Sequence, residues 1–185
     1  MQSIPIRSLP VALMFLVTCA LAQSASASTA AEIDTGVDTT LAMFKEKVKG
    51  ADGVLGAAKG VLVFPSVVKA GVGVGGEYGE GALRVGGKTV NYYNTASASV
   101  GLQLGVQEKS IIIAFLEAGA LDKFRNSAGW KIGVDGSVAL IELGAGGALD
   151  TATLNKPIVG FVLDNKGLMY NLTLEGSKIT KIERD

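Results

Sequence analysis

The stretch Lys59–Gly87, KGVLVFPSVVKAGVGVGGEYGEGALRVGG, constrains the fold more than any other part of the chain. Val61–Phe64 is an apolar run that Pro65 is expected to end, because proline has no backbone donor to continue a strand ladder. Gly71, Gly73, Gly75, Gly76, Gly79 and Gly81 follow, with Val72 and Val74 between the first of them. Alternating valine favours extended backbone, and glycine lets another backbone or a ligand approach closely. The segment therefore reads as sheet, and its glycines serve either packing or binding.

Gly71–Gly76 matches G-x-G-x-x-G letter for letter. That pattern holds a pyrophosphate only when a helix N-terminus follows. Here Glu77-Tyr78-Gly79-Glu80-Gly81 follows, and its two acids oppose a phosphate. The residues argue against a dinucleotide site.

The remaining chemistry is narrow. The 185 residues contain no histidine and one cysteine, so the usual catalytic triads, Cys–His pairs and zinc sets cannot be assembled. Lys+Arg and Asp+Glu balance at 17 each, so no long-range field draws the chain to nucleic acid. Hydrophobic content of 48% against 18% charged residues argues for a packed core, and the length suits one domain. Glu77, Glu80, Glu117, Asp122, Asp135 and Glu142 are the carboxylates from which an acid–base pair would have to come.

Residues 1–27 read as an export signal. Arg7 is the positive end, Val11–Ala22 the apolar run, and Ala25-Ser26-Ala27 the cleavage site, with Ala20-Leu21-Ala22 as a second one. Leu16-Val17-Thr18-Cys19 is similar to a lipoprotein acylation site, a weaker alternative because Thr18 is larger than the residue normally found before the cysteine. The expected location is the periplasm, and residues 28–185 form a single domain.

From Ser28 to Lys49 the spacing of Ile33, Val37, Leu41, Phe44 and Val48 predicts an amphipathic helix. Its acids come first and Lys45, Lys47 and Lys49 last, in accord with the helix dipole. The helix either packs on the domain, which the acidic first half favours, or lies on a membrane with those lysines at the headgroups. After a helical turn within Asp52–Lys59, strands are expected at Gly60–Phe64, Ala70–Tyr78, Gly81–Val85, Thr89–Tyr93, Ala96–Val106 and Ser110–Phe115. Gly86-Gly87 is a hairpin signal and Gln107–Lys109 a second tight connection. A second helix is predicted over Glu117–Asn126, then extended segments at Ile132–Val134 and Ser137–Leu143 around a turn at Asp135-Gly136. The chain ends in a meander of Ile158–Leu163, Leu168–Leu174 and Lys178–Ile182. The fold class is α+β, with a mostly antiparallel, glycine-rich sheet for which barrel-like curvature is compatible with the pattern.

The basic residues Lys59, Lys69, Arg84 and Lys88 flank the glycine-rich strands, and Lys123, Arg125 and Lys131 surround the second helix. Tyr92, Tyr93 and Trp130 look like exposed aromatic neighbours. Cations beside aromatic rings suit an anionic lipid headgroup, whereas the same residues singly are ordinary surface charge.

Several motifs in order carry a family resemblance: Lys59-Gly60-Val61-Leu62-Val63-Phe64-Pro65, Lys69-Ala70-Gly71, Gly75-Gly76-x-x-Gly79-x-Gly81, Tyr92-Tyr93-Asn94 and Ser99-x-Gly101-x-Gln103-x-Gly105-x-Gln107. They continue through Phe124, Ser127-x-Gly129-Trp130-x-x-Gly133-x-Asp135-x-Ser137-Val138, Gly160-Phe161-Val162 and Gly167-Leu168. Together they resemble the SYLF domain over about residues 34–182. The resemblance implies a non-enzymatic lipid-binding domain with no catalytic residue and no cofactor, exported in its bacterial members. It implies an anionic phospholipid or membrane surface as partner, with oligomers allowed; neither nucleic acid nor actin is expected for an exported chain. A structural or stress-related envelope protein acting through protein contacts is the alternative reading, and an enzyme using paired carboxylates is a third.

Overall fold

The computed structural model describes residues 27–141, 149, 155–164, 167, 168, 174 and 176–185. Helix α1 (Ala30–Lys47) opens with a capping box: the Thr29 hydroxyl accepts from the Glu32 backbone N–H, and the Glu32 carboxylate accepts from the Thr29 N–H. Ile33, Val37 and Phe44 are buried along one stripe, as their spacing requires. Gly50, at φ +93°, turns the chain into the short helix α2 (Ala51–Ala57).

Two long strands follow, β1 (Gly60–Val85) and β2 (Lys88–Phe115), joined at Gly86-Gly87, both with positive φ. They pair antiparallel along their whole length. The six separate strands expected from the sequence are therefore two. Pro65 does not end its strand; it sits at a register shift between Phe64 and Val67, where a missing donor disrupts no ladder bond. Ser110 Oγ donates to the Pro65 carbonyl at 2.7 Å. Gln107–Lys109 is not a turn but lies within β2, opposite Val67–Lys69.

Helix α3 (Ala118–Arg125) comes next, then β3 (Trp130–Lys131), β4 (Ala139–Leu140), β5 (Ile158–Asp164), β6 (Gly167–Leu168) and β7 (Lys178–Ile182). β5 and β7 both pair with β2, at residues 110–115 and 92–96 respectively. β5 also takes β6 antiparallel and β4 parallel, and β7 takes β3. The expected C-terminal meander holds for β5 and β6. β7 departs from it: among the described residues its partners are β2 and β3, because β2 is long enough to offer a separate edge at each end. Residues 142–148, which include Glu142 and the glycine-rich stretch Gly144-Ala145-Gly146-Gly147, lie outside the described residues, as do 169–173.

The base of the hairpin is buried on both faces, which is why Val61–Phe64 and Ile111–Phe115 are unbroken apolar runs. Val61, Val63, Ile112, Ala114 and Phe161 meet α1 and α2, with the Phe44 and Phe161 rings 4.7 Å apart. Leu62, Phe64, Ile113 and Phe115 meet α3 and β3, where the Phe124 ring lies 4.9 Å from Phe115 and edge-on to Trp130 at 5.5 Å. Trp130 and Tyr93 are thus core residues, 2% and 4% exposed. The expectation that they line the surface beside the basic residues is corrected, since their rings fill the α3 side of the sheet.

β1 bends back on itself. A methyl group on Gly79 would stand 2.7 Å from the Ser66 carbonyl, and one on Gly81 would overlap that of Val63. These two glycines serve backbone packing.

Candidate functional site

The bend divides the hairpin into a base and a projecting arm, residues 68–78 of β1 against 96–108 of β2. A buried ion pair closes the neck of the arm: Lys109 Nζ lies 2.7 Å from Glu77 Oε1, with side chains only 10% and 12% exposed. In the arm every described even-numbered residue is exposed, including Val68, Ala70, Gly76, Tyr78, Ala96, Ala98 and Val106. Of the described odd-numbered ones, Gln107 is exposed, whereas Lys69, Gly71, Gly75 and Ser97 are half-buried.

Three surface depressions lie near the residues singled out by sequence. A groove of about 580 Å³ runs between α1, α2 and the hairpin tip, with Leu41, Ala42, Leu55 and Ala58 among its apolar residues and Asp38, Lys45, Lys59 and Arg84 as its charged ones. One cation of the predicted helix set thus meets two from the strand flank, and Gly87, just before exposed Lys88, lines the same groove. Lys45 is within 3.4 Å of Asp52, both well exposed. Lys59 is exposed and has no ion-pair partner among the described residues. Arg84 is engaged: its Nη2 lies 2.9 Å from Asp38 Oδ1 and 3.4 Å from Asp34 Oδ1.

Those contacts explain the acidic first half of α1. Asp34 also accepts from Thr89 Oγ1 at 2.6 Å and from the Tyr92 hydroxyl at 3.0 Å, so it anchors the helix to the hairpin tip. Burial, and then the bond to Asp34, pushes the Tyr92 phenol above its ordinary range. Tyr92 is half-buried and tied to the helix, not displayed beside a cation.

A second depression, of about 420 Å³, lies on the α3 side between Lys123, Lys156, Ser137 and Pro157, over the buried Trp130. Arg125 and Lys131 are exposed outside its lining, and Lys69 belongs to the arm. Lys47 and Lys49 are exposed at the end of α1. The predicted cations therefore do not form one patch.

The third is a cleft of about 920 Å³ between the start of α1 and the base of the arm, lined by Ile33, Pro65, Val68, Tyr78, Glu77 and Glu80 among others. Two of the candidate acids meet here, but cations hold both. Glu80 Oε1 receives Arg184 Nη2 and the Tyr78 hydroxyl, and Oε2 receives the Ser28 backbone N–H at 3.1 Å. Burial raises the Glu80 carboxyl, but the bonds from Arg184 and Tyr78 and the Arg184 charge outweigh it and hold the group below its ordinary value. A general acid needs the opposite shift. Glu117 and Asp122 are exposed and apart from this cleft, and Asp135 accepts from the Lys131 N–H. Among the described residues no three His, Cys, Asp or Glu are grouped to hold a metal ion, and no helix is long and apolar enough to cross a membrane.

Sequence reasoning missed the Glu80–Arg184 contact, which joins residues far apart in the chain. It also missed the arm's two-sided pattern, although Val100, Leu102, Leu104 and Val106 alternate with Gly101, Gln103, Gly105 and Gln107 in plain view.

Residues 96–184 match the family described as "Ysc84: Las17-binding protein actin regulator". The match begins inside β2 and runs through β7, so it takes one arm of the hairpin and leaves α1 and β1, which pair and pack with it, outside. No curated protein matches the chain.

Proposed function

We propose that the chain binds anionic lipid at a membrane surface and catalyses no reaction, a reading supported by the match of residues 96–184 to the Ysc84 (SYLF) family model. The observation that carries this reading is the groove between α1, α2 and the hairpin tip. Lys45 and the ion-pair-free Lys59 border apolar side chains there, as an amphiphile with an anionic head requires. Arg84 contributes shape more than charge, since Asp34 and Asp38 already neutralise it.

Export to the bacterial envelope is part of the same proposal. Its support is the position of Ser28: cleavage after Ala27 would convert the backbone N–H that Glu80 already accepts into an ammonium, strengthening that contact. Cleavage after Ala22 leaves it an amide. Actin regulation, which the family's description carries, is not proposed for a chain sent out of the cytoplasm.

Co-sedimentation of the full chain with phosphatidylglycerol and phosphatidylcholine vesicles tests the reading. Binding to the anionic vesicles that falls with salt is expected. Each lysine near such a surface contributes about 1 kcal/mol, so Lys45→Ala with Lys59→Ala should weaken binding roughly thirtyfold. No binding to either vesicle overturns the reading; a salt-insensitive oligomer with no extractable lipid would favour a structural role instead.

A further inference from the structure

The arm presents its apolar side outward. In an ordinary half-buried hairpin the apolar residues of the alternation face the core and the polar ones face water. Here Val68, Tyr78 and Val106 are 40%, 49% and 74% exposed, while the Glu77–Lys109 ion pair is turned inward. Ala70 pairs with Val106 and Tyr78 with Ala96, so the exposed apolar residues share one face. The sequence carries the same parity through Val72, Val74, Val100, Leu102 and Leu104, with Gly, Ser or Gln between them. Apolar outward and polar inward is the alternation that strands in contact with lipid display.

We propose that this outward face of the arm is a membrane-contacting surface that enters the interfacial layer of a bilayer, and this rests on the lipid reading above. Two observations favour a bilayer over a protein. The described part of the face carries Val68, Ala70, Ala96, Ala98 and Val106, with one tyrosine at its base and none of the large aromatic or arginine anchors that protein interfaces concentrate; its one charge is Glu108, opposite Val68, whose carboxylate accepts from the Ser66 hydroxyl. The chain also enters the fold on this side. Ala27 lines the same cleft as Val68 and Tyr78, and the apolar run Val11–Ala22 precedes it closely in sequence. Until it is cleaved, a leader inserted in a bilayer would hold this side of the fold, not the α3 side, nearest the same membrane.

The face lies in the interface and does not cross. Residues 97–109 of β2 have β1 on one edge and, among the described residues, no strand on the other. An open edge in hydrocarbon leaves unsatisfied backbone groups that cost several kcal/mol each. This contact is separate from the groove holding Lys45 and Lys59, so the two can fail independently.

The test is Val106→Trp in the full chain, read against the parent, whose single tryptophan, Trp130, is buried. With phosphatidylglycerol–phosphatidylcholine vesicles the new emission should shift blue and be quenched by lipids brominated high on the acyl chain more than by those brominated near its end. Val106→Glu should weaken co-sedimentation about tenfold, the equivalent of losing one valine's apolar burial, and leave the unfolding midpoint unchanged. Parent protein that co-sediments while the introduced indole stays unquenched overturns the arm and spares the lipid reading. Parent protein that fails to co-sediment overturns both. Emission already blue without lipid overturns the arm as well: dependence on protein concentration would identify a second copy as the cover, and independence the chain's own N-terminal segment.

Discussion

The base and the arm of the long hairpin are the same two strands in different surroundings. At the base, Leu62 and Val63 are successive residues on opposite faces, and both are fully buried because α3 covers one side and α1 the other. In the arm the strands stay paired but the helices have run out, and the residues that would be core, Val68 and Val106, stand in water. Strand pairing alone thus buries nothing across a sheet face. Burial comes from what is layered on it.

The contrast breaks most visibly in stability. Phe161→Ala removes a ring enclosed by Phe44 and the sheet and should cost about 3–5 kcal/mol, measured by urea unfolding. A smaller loss would mean that the α1 layer repacks and that the base is less tightly specified than its burial implies.

The neck of the arm is the next largest. Lys109→Met leaves the Glu77 carboxylate in a poorly solvated site and should cost about 3 kcal/mol, whereas Glu77→Leu combined with Lys109→Met should recover most of it. Equal losses in the single and double variants would show that packing around the aliphatic stems, not the charge, holds the neck.

The cleft beside the neck makes stability depend on pH. Glu80 is held below its ordinary range in the folded chain, so its contribution is complete at neutral pH, where both folded and unfolded forms are ionised. It is lost as pH falls from the ordinary carboxyl range through the lowered folded value, because the unfolded state then takes up the proton first. Glu80→Gln should flatten that acid limb in a series of unfolding midpoints against pH; an unchanged limb assigns it to other carboxylates.

The smallest effect belongs to the arm itself. Val106→Ser should change stability by no more than about 0.5 kcal/mol, since the residue is 74% exposed. A loss as large as that of Phe161→Ala would mean that the arm's outer face is covered in solution.

The local signals were readable because they act over a few residues. The spacing of Ile33, Val37 and Phe44 predicts α1 and its buried stripe; the structure trims the expected Ser28–Lys49 to Ala30–Lys47. Leu121 and Phe124 predict α3 to within a residue at each end, Gly86-Gly87 marks the hairpin turn with positive φ, and Lys178–Ile182 is β7 as expected. The family motifs from Ser99 to Leu168, which lie within the match over residues 96–184, were legible in the same way. Pro65 misled because a bulge removes the penalty that a proline imposes on a regular ladder. Tyr93 and Trp130 misled because an amphipathic ring beside cations reads the same whether it faces lipid or a neighbouring phenylalanine.

By itself, then, the sequence determined the helices, the hairpin turn and the α+β class, along with the want of histidine for catalysis or metal binding. Tertiary structure alone decided that Gly79 and Gly81 are points of backbone contact and that the acids of α1 hold Arg84 and Tyr92. It also decided that Val68, Tyr78 and Val106 face outward beyond the neck. The physical reason is range. Helix periodicity and turn chemistry are settled by neighbours in the chain, whereas the sign of a strand's exposure depends on which helix reaches that face and where its coverage stops.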